Sequence, residues 1–330
     1  MEILGGKSMY YPNNIEDVCY EESHIEQVIN EVKAQFYDYF DLFIKSEAGT
    51  TLPEDQVKKL AENFGSDGIA KVRKKDTELV LKRIIADGID KFEKDRNSYI
   101  ELLDEEALEE YEDNPAGFKS ALRKDCPIVR GTVNSPAKEL DKYKYEFRIS
   151  NPNELLTVSQ NLASFANCYA EECEDYEYDS IEALEDLEFK LLDTEDYSVF
   201  GVIGGGIKSQ FLFKLQPAYF PYRSKEAIWA FWYLTNKKTF GCEEGSQFLM
   251  INVEKSQTNQ NYFYPYELFS FYAYQVYLLL KKEAEKNNVH LSDKYRYVLV
   301  DQFLSFIAKK HDEDIKFISS SSEDKLYSWI

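Results

Sequence analysis

The segment from Glu21 to Ala48 places Ile25, Val28, Ile29, Val32, Phe36, Tyr39, Phe40 and Phe43 at spacings of three and four. Such spacing lines one face of a helix with large apolar groups, and that face has to be covered by other elements. The same period recurs along most of the chain. Pro53 opens a shorter helix ending near Gly65, and Ser66-Asp67 can cap a long helical stretch toward Leu103, with Gly88 as a break. Asn151-Pro152 starts another helix, with Leu155, Val158, Leu162, Phe165 and Tyr169 on one face. Pro265 begins an aromatic helix to about Lys282, and Ser292 to Lys309 reads as the last helix.

Two stretches leave this period. Pro127, Gly131 and Pro136 interrupt any helix in residues 125–151, and Tyr143, Tyr145, Phe147 and Ile149 alternate with Lys144, Glu146 and Arg148. Alternation of that kind predicts a half-buried strand. Phe248 to Val253 reads as a second short strand. The expected fold is mainly α (α+β with a minor β element): helical lobes at residues 1–125 and 151–330, joined by a strand-containing segment at 126–150.

The chain's 330 residues carry a formal charge of −21, yet 15% of them are Phe, Tyr or Trp, enough to drive folding despite the repulsion. The charge is segregated. Residues 104–113 hold seven acids and no base, and residues 171–196 hold thirteen acids against Lys190 alone. Residues 204–240 hold six bases against Glu226, and residues 71–83 hold six against Asp76 and Glu78. A polyanion is therefore directed to the basic stretches, because phosphate binding draws on Lys and Arg displacing counterions. The acidic stretches suit a basic protein partner.

Cys19, Cys126, Cys168, Cys173 and Cys242 form no CxxC pair, so they read as reduced thiols with no metal or cofactor implied. His24, His290 and His311 lie far apart in sequence and read as surface or helix-end residues. No N-terminal stretch combines a basic region with an apolar run. The most apolar run, Tyr264 to Leu280, includes Glu267, Gln275 and five tyrosines, short of a membrane span. A cytoplasmic protein with no membrane segment is the expectation.

Residues 197–235 join three glycines, a Lys-Ser pair, a short helix, a Pro-bounded loop and an aromatic helix. Glycines at a helix start expose backbone N–H groups where the helix dipole also favours an anion. Gly204-Gly205-Gly206-Ile207-Lys208-Ser209, continued by Phe211-Leu212, Leu215, Pro217 and Phe220-Pro221, resembles the helix-hairpin-helix segment of DNA-binding, DNA-glycosylase-related proteins. Across about forty residues the resemblance implies phosphate contact by Gly204, Gly205, Gly206, Lys208 and Ser209, with Arg223 and Lys225 alongside. Gln210 stands where that family has a small residue. Tyr222-Arg223-Ser224 stands where glycosylases carry an Asp, so base excision is not implied. Tyr219 and Tyr222 are the expected exposed stacking pair, while Trp229 and Trp232 are expected in the core.

Other chemistry has thinner support. Gly201 and Gly206 have the separation of a phosphate loop, but Ile207 intervenes before Lys208-Ser209, and Tyr297 to Asp301 fits a strand ending in a Mg²⁺-binding acid or a helix equally. Glu188-Phe189-Lys190, with Asp179 or Asp186, matches half of a nuclease metal site within an acidic, helix-like segment. The leading expectation is a non-enzymatic nucleic-acid-binding protein. Its rivals are an acidic interaction or inhibitor module, with nucleic-acid mimicry as one form, and a degenerate phosphate-loop or metal-dependent nuclease.

Overall fold

The structure is a computed structural model describing residues 15–47, 54–173, 178–242, 246–252 and 257–320. Apart from Lys59, side chains between 54 and 75 lie outside the description, and with them Lys71, Arg73, Lys74 and Lys75 of the first basic stretch. The described residues form twelve α-helices and one two-stranded sheet, a mainly α fold with a minor β element.

Helix α1 (Glu22–Glu47) buries the expected stripe, from Ile25 through Phe36 and Phe40 to Phe43. The next two expected helices are one: α2 runs unbroken over Glu54–Leu103. Gly88 does not interrupt it. A side chain at 88 would collide with Gln302 of the helix opposite, so this glycine permits close approach. Five shorter helices follow, three of them opened by proline: α3 (Glu105–Glu109), α4 (Pro115–Asp125), α5 (Pro127–Asn134), α6 (Asp141–Ile149) and α7 (Pro152–Glu172). Pro127, expected to interrupt any helix, opens one of its own. Asn114 caps α4 by accepting from Gly117 N at 3.0 Å, and Asn151 caps α7 by accepting from Asn153 N at 3.0 Å.

Helix α6 corrects the expected strand at 143–149. Tyr143 and Phe147, four residues apart, turn toward the core, whereas Tyr145 and Ile149 are exposed. Alternation over seven residues contains the i, i+4 spacing of a helix as well, and Lys144–Asp141 at 2.8 Å adds an i, i+3 ion pair. No strand-containing linker therefore separates the two halves. The buried apolar side chains from Cys19 to Ile315 form one cluster, and α2 contacts both α4 and α7 and the later helices.

Residues 185–197 fold as successive 3-10 turns at Glu185–Leu187, Phe189–Asp193 and Glu195–Tyr197 instead of an α-helix. Leu187, Phe189 and Leu192 anchor the segment inward and leave Glu182, Glu185, Glu188 and Lys190 exposed. Then come α8 (Gly205–Leu215), α9 (Lys225–Leu234), strands β1 (Leu249–Asn252) and β2 (Gln257–Gln260), α10 (Tyr266–Lys286), α11 (Arg296–Lys310) and α12 (Asp312–Ser319). The strands pair antiparallel, Leu249 opposite Gln260. Asp193 caps α10 from 73 residues away, accepting from Tyr266 N at 2.8 Å and Glu267 N at 3.0 Å. Tyr297 to Asp301 belongs to α11, so the strand required by the phosphate-loop reading is a helix. No described helix is long and apolar enough to cross a membrane.

Candidate functional site

The glycine segment begins a helix, as its composition implies, but its basic groups face inward. Gly204 is exposed at the N-cap of α8, while Gly205 and Gly206 are partly covered. Lys208 is 3% exposed; its ammonium donates to Leu192 O and lies 3.6 Å from Asp193 Oδ1. Burial lowers its pKa, and Asp193 opposes the shift. Ser209 is fully buried, with Oγ donating to Gly206 O and accepting from Arg223 N at 3.0 Å. Arg223, 4% exposed, donates from Nη2 to Asn261 O at 2.8 Å and fills the space beside Gly205. Lys225 is exposed at the start of α9.

Nor do the expected stacking tyrosines form an exposed pair. Tyr219 is buried and donates its hydroxyl to Cys173 O at 3.0 Å. Tyr222 is half-buried and stacks on Phe213, ring centroids 6.1 Å apart and nearly parallel. Trp229 lies in the core as expected, and Trp232 is half-buried against it. The glycine segment thus unites Lys208, Ser209 and Arg223 through internal bonds and leaves Gly204 and Lys225 at the surface.

Tyr222 opens instead onto a cleft of about 1110 Å³ between the end of α1, the middle of α2, α8 and α11. Its rigid wall comes from a reciprocal clamp between α2 and α8. Arg96 of α2 donates to the carbonyls of Lys214 and Leu215 at 2.9 and 3.0 Å, satisfying the end of α8. In return, Lys214 donates to Phe92 O at 2.8 Å and pairs with Asp95 at 2.6 Å, its ammonium 4.2 Å from the Phe92 ring centroid. Gly88 holds α2 against Gln302 of α11 on the other side.

Three acceptors at the cleft lack a hydrogen bond. Asp301 makes no hydrogen bond or ion pair among the described residues, and burial, helped by Glu226, pushes its pKa up to about 7 against Lys214 and Lys91. The Oε1 atoms of Gln210 and Gln302 are buried without partners, although Gln210 Nε2 reaches Tyr99 Oη at 3.5 Å. Around the mouth, Lys45, Lys91, Lys309 and Lys310 are exposed, and none pairs with a carboxylate among the described residues. Phe43, Phe92, Phe213, Tyr222 and Phe306 supply apolar surface between rim and floor. An aromatic wall, partnerless acceptors and a perturbed acid in one concavity are the ordinary attributes of a ligand site.

Sequence reasoning reached Asp301 and Gln210 for other reasons, the first as a strand-end acid and the second as a departure from a motif. The usable signal was a polar residue within an otherwise apolar helix. The rim lysines gave none, since they come from three helices distant in sequence. Of the metal residues considered, Glu188 and Lys190 lie exposed on a 3-10 segment, while Asp179 pairs with Lys281 at 2.7 Å and Arg296 at 3.4 Å. Asp186 is occupied too, accepting from Glu182 N and Ala183 N. No protein-family model, curated protein or solved structure matches this chain.

Proposed function

We propose that the chain is a nucleic-acid-associated binding protein whose cleft takes one unpaired nucleotide, free or within a single strand. The base lies against the Phe92, Phe213 and Tyr222 wall, where stacking contributes about 1–3 kcal/mol per base. Its N–H donors meet Asp301 and Gln210, and its phosphate meets Lys309 and Lys310. The observation that carries this reading is the pair of buried acceptors Gln210 Oε1 and Gln302 Oε1, which line the cleft without a hydrogen-bond partner, with the half-buried Asp301 carboxyl in the same cleft. A buried polar group left unbonded costs free energy, and a ligand that donates to it recovers that cost. Bases in a duplex have already committed their donors, so single strands are preferred.

The test is a titration of a fluorescein-labelled single-stranded oligonucleotide, followed by anisotropy over a range of salt. Lys309→Glu with Lys310→Glu should weaken binding and remove about 0.7 from the slope of log K against log salt, the share of one phosphate contact. Equal affinity and slope in the variant would overturn the reading. A basic protein partner is the second reading, supported by Glu105, Glu106, Glu109, Glu182, Glu185 and Glu188 remaining on the surface. Its test is capture of a defined basic protein that is lost in Glu182→Gln/Glu185→Gln/Glu188→Gln.

A further inference from the structure

Cys19, His24 and Cys242 meet at a point remote in sequence from any spacing motif. Cys19 lies on the 3-10 turn Asp17–Tyr20 just before α1, His24 on the first turn of α1, and Cys242 in the loop after α9, 223 residues from Cys19. A ring nitrogen of His24 and the two sulfurs all lie within 4.8 Å of one another. Cys19 is fully buried, His24 is 2% exposed, and His24 Nε2 is buried with no hydrogen-bond partner. Of the two expected placements, surface or helix end, His24 takes the helix end and is buried there.

The sulfur separation excludes a disulfide and accommodates a shared metal ion as well as a thiol–thiol hydrogen bond. The two Sγ atoms are 3.7 Å apart. A disulfide would need about 2.05 Å. Two thiolates, each about 2.3 Å from a zinc ion and set at the tetrahedral angle, lie about 3.8 Å apart. We propose that Cys19, Cys242 and His24 form a binding site for a borderline-soft divalent cation, Zn²⁺, that ties the start of α1 to the loop after α9.

Zinc takes neutral imidazole nitrogen and thiolate sulfur, and His24 Nε2 has no hydrogen-bond partner to compete for it. Zinc binding then forms two Zn–S bonds and one Zn–N bond, and the two thiol protons leave to solvent. Three protein ligands leave one coordination position.

The test uses the full chain, purified under reducing conditions without chelator, and Co²⁺ as a spectroscopic probe after zinc removal. Elemental analysis should give about one zinc per chain, and Co²⁺ should give sulfur-to-cobalt charge-transfer absorption with the strong visible bands of a tetrahedral site. Cys242→Ser should lose that charge transfer by more than half, and His24→Gln should weaken Co²⁺ binding at least tenfold. Wild-type protein that is folded by circular dichroism, with five titratable thiols in denaturant, yet binds neither metal, would overturn the proposal. Recovery of a Cys19–Cys242 disulfide by mass spectrometry from protein purified under reducing conditions would overturn it equally.

Discussion

The guanidinium of Arg223 occupies the space that a side chain at position 205 would need. Arg223 is fixed there by its bond to Asn261 O and by its backbone N–H bond to Ser209 Oγ, so it cannot simply swing aside. Gly205→Ala should therefore cost about 1–3 kcal/mol through overpacking. At Gly204 nothing lies within 4 Å of the added carbon, and the residue is the N-cap of α8. Gly204→Ser should be neutral or stabilising by a few tenths of a kcal/mol (~0.3), since serine can cap the free N–H groups. Urea unfolding of the two variants side by side checks the contrast. Equal costs would mean that the glycines serve a common purpose other than making room for Arg223.

Asp193 links two tasks, capping α10 and facing the buried ammonium of Lys208. Asp193→Ala removes both at once and should cost roughly 2–4 kcal/mol, a cap plus an uncompensated buried cation. Lys208→Ala should destabilise as well. Its effect on oligonucleotide affinity, measured where the variant is folded, should be less than twofold because Lys208 does not reach the surface. A large affinity loss with unchanged stability would return the binding site to the glycine helix start.

Asp301 gives the cleft a pH signature. Its folded pKa of about 7 lies above the ordinary carboxyl value of 3.8, so between these pH values the folded chain keeps a proton that the unfolded chain has released. Stability therefore falls as pH rises through this window and stays lower above it. Asp301→Asn should be close to neutral at pH 4 and stabilising by about 1–3 kcal/mol at pH 8. Glu267, pushed to about 7 by burial and by Asp193, titrates in the same window, so Glu267→Gln should show the same shape. Denaturant midpoints at the two pH values decide it, and a gain independent of pH would contradict the origin given for Asp301.

Helix starts at Pro152 and Pro265 were the most legible part of the sequence, because proline combines a missing N–H with a preset φ suited to a helix start, whereas Pro127, read as an interruption, opens a helix of its own. The stripe on α1 was equally readable. At 143–149 a period of two and a period of four coincide on Tyr143 and Phe147, and only tertiary packing separates them. Charge along the chain misled in another way. Lys208 and Arg223 count toward a basic stretch, yet each is matched internally by backbone carbonyls, with Asp193 facing Lys208. The cleft was out of reach because Lys45, Lys91, Asp301 and Lys309 meet only once α1, α2 and α11 are packed. The Cys19–Cys242 approach was hidden for the same reason, as 223 residues carry no spacing rule.

The occupancy of the cleft is tested most directly by photo-crosslinking a single-stranded oligonucleotide carrying 5-iodouracil, which reacts with nearby aromatic rings, and mapping the adducts by mass spectrometry. The expected adducts are on Phe92, Phe213 or Tyr222, suppressed by unlabelled mononucleotide in excess. Adducts confined to exposed aromatics outside the cleft, such as Phe200, Tyr262 and Phe263, or no adduct at saturating oligonucleotide, would contradict it.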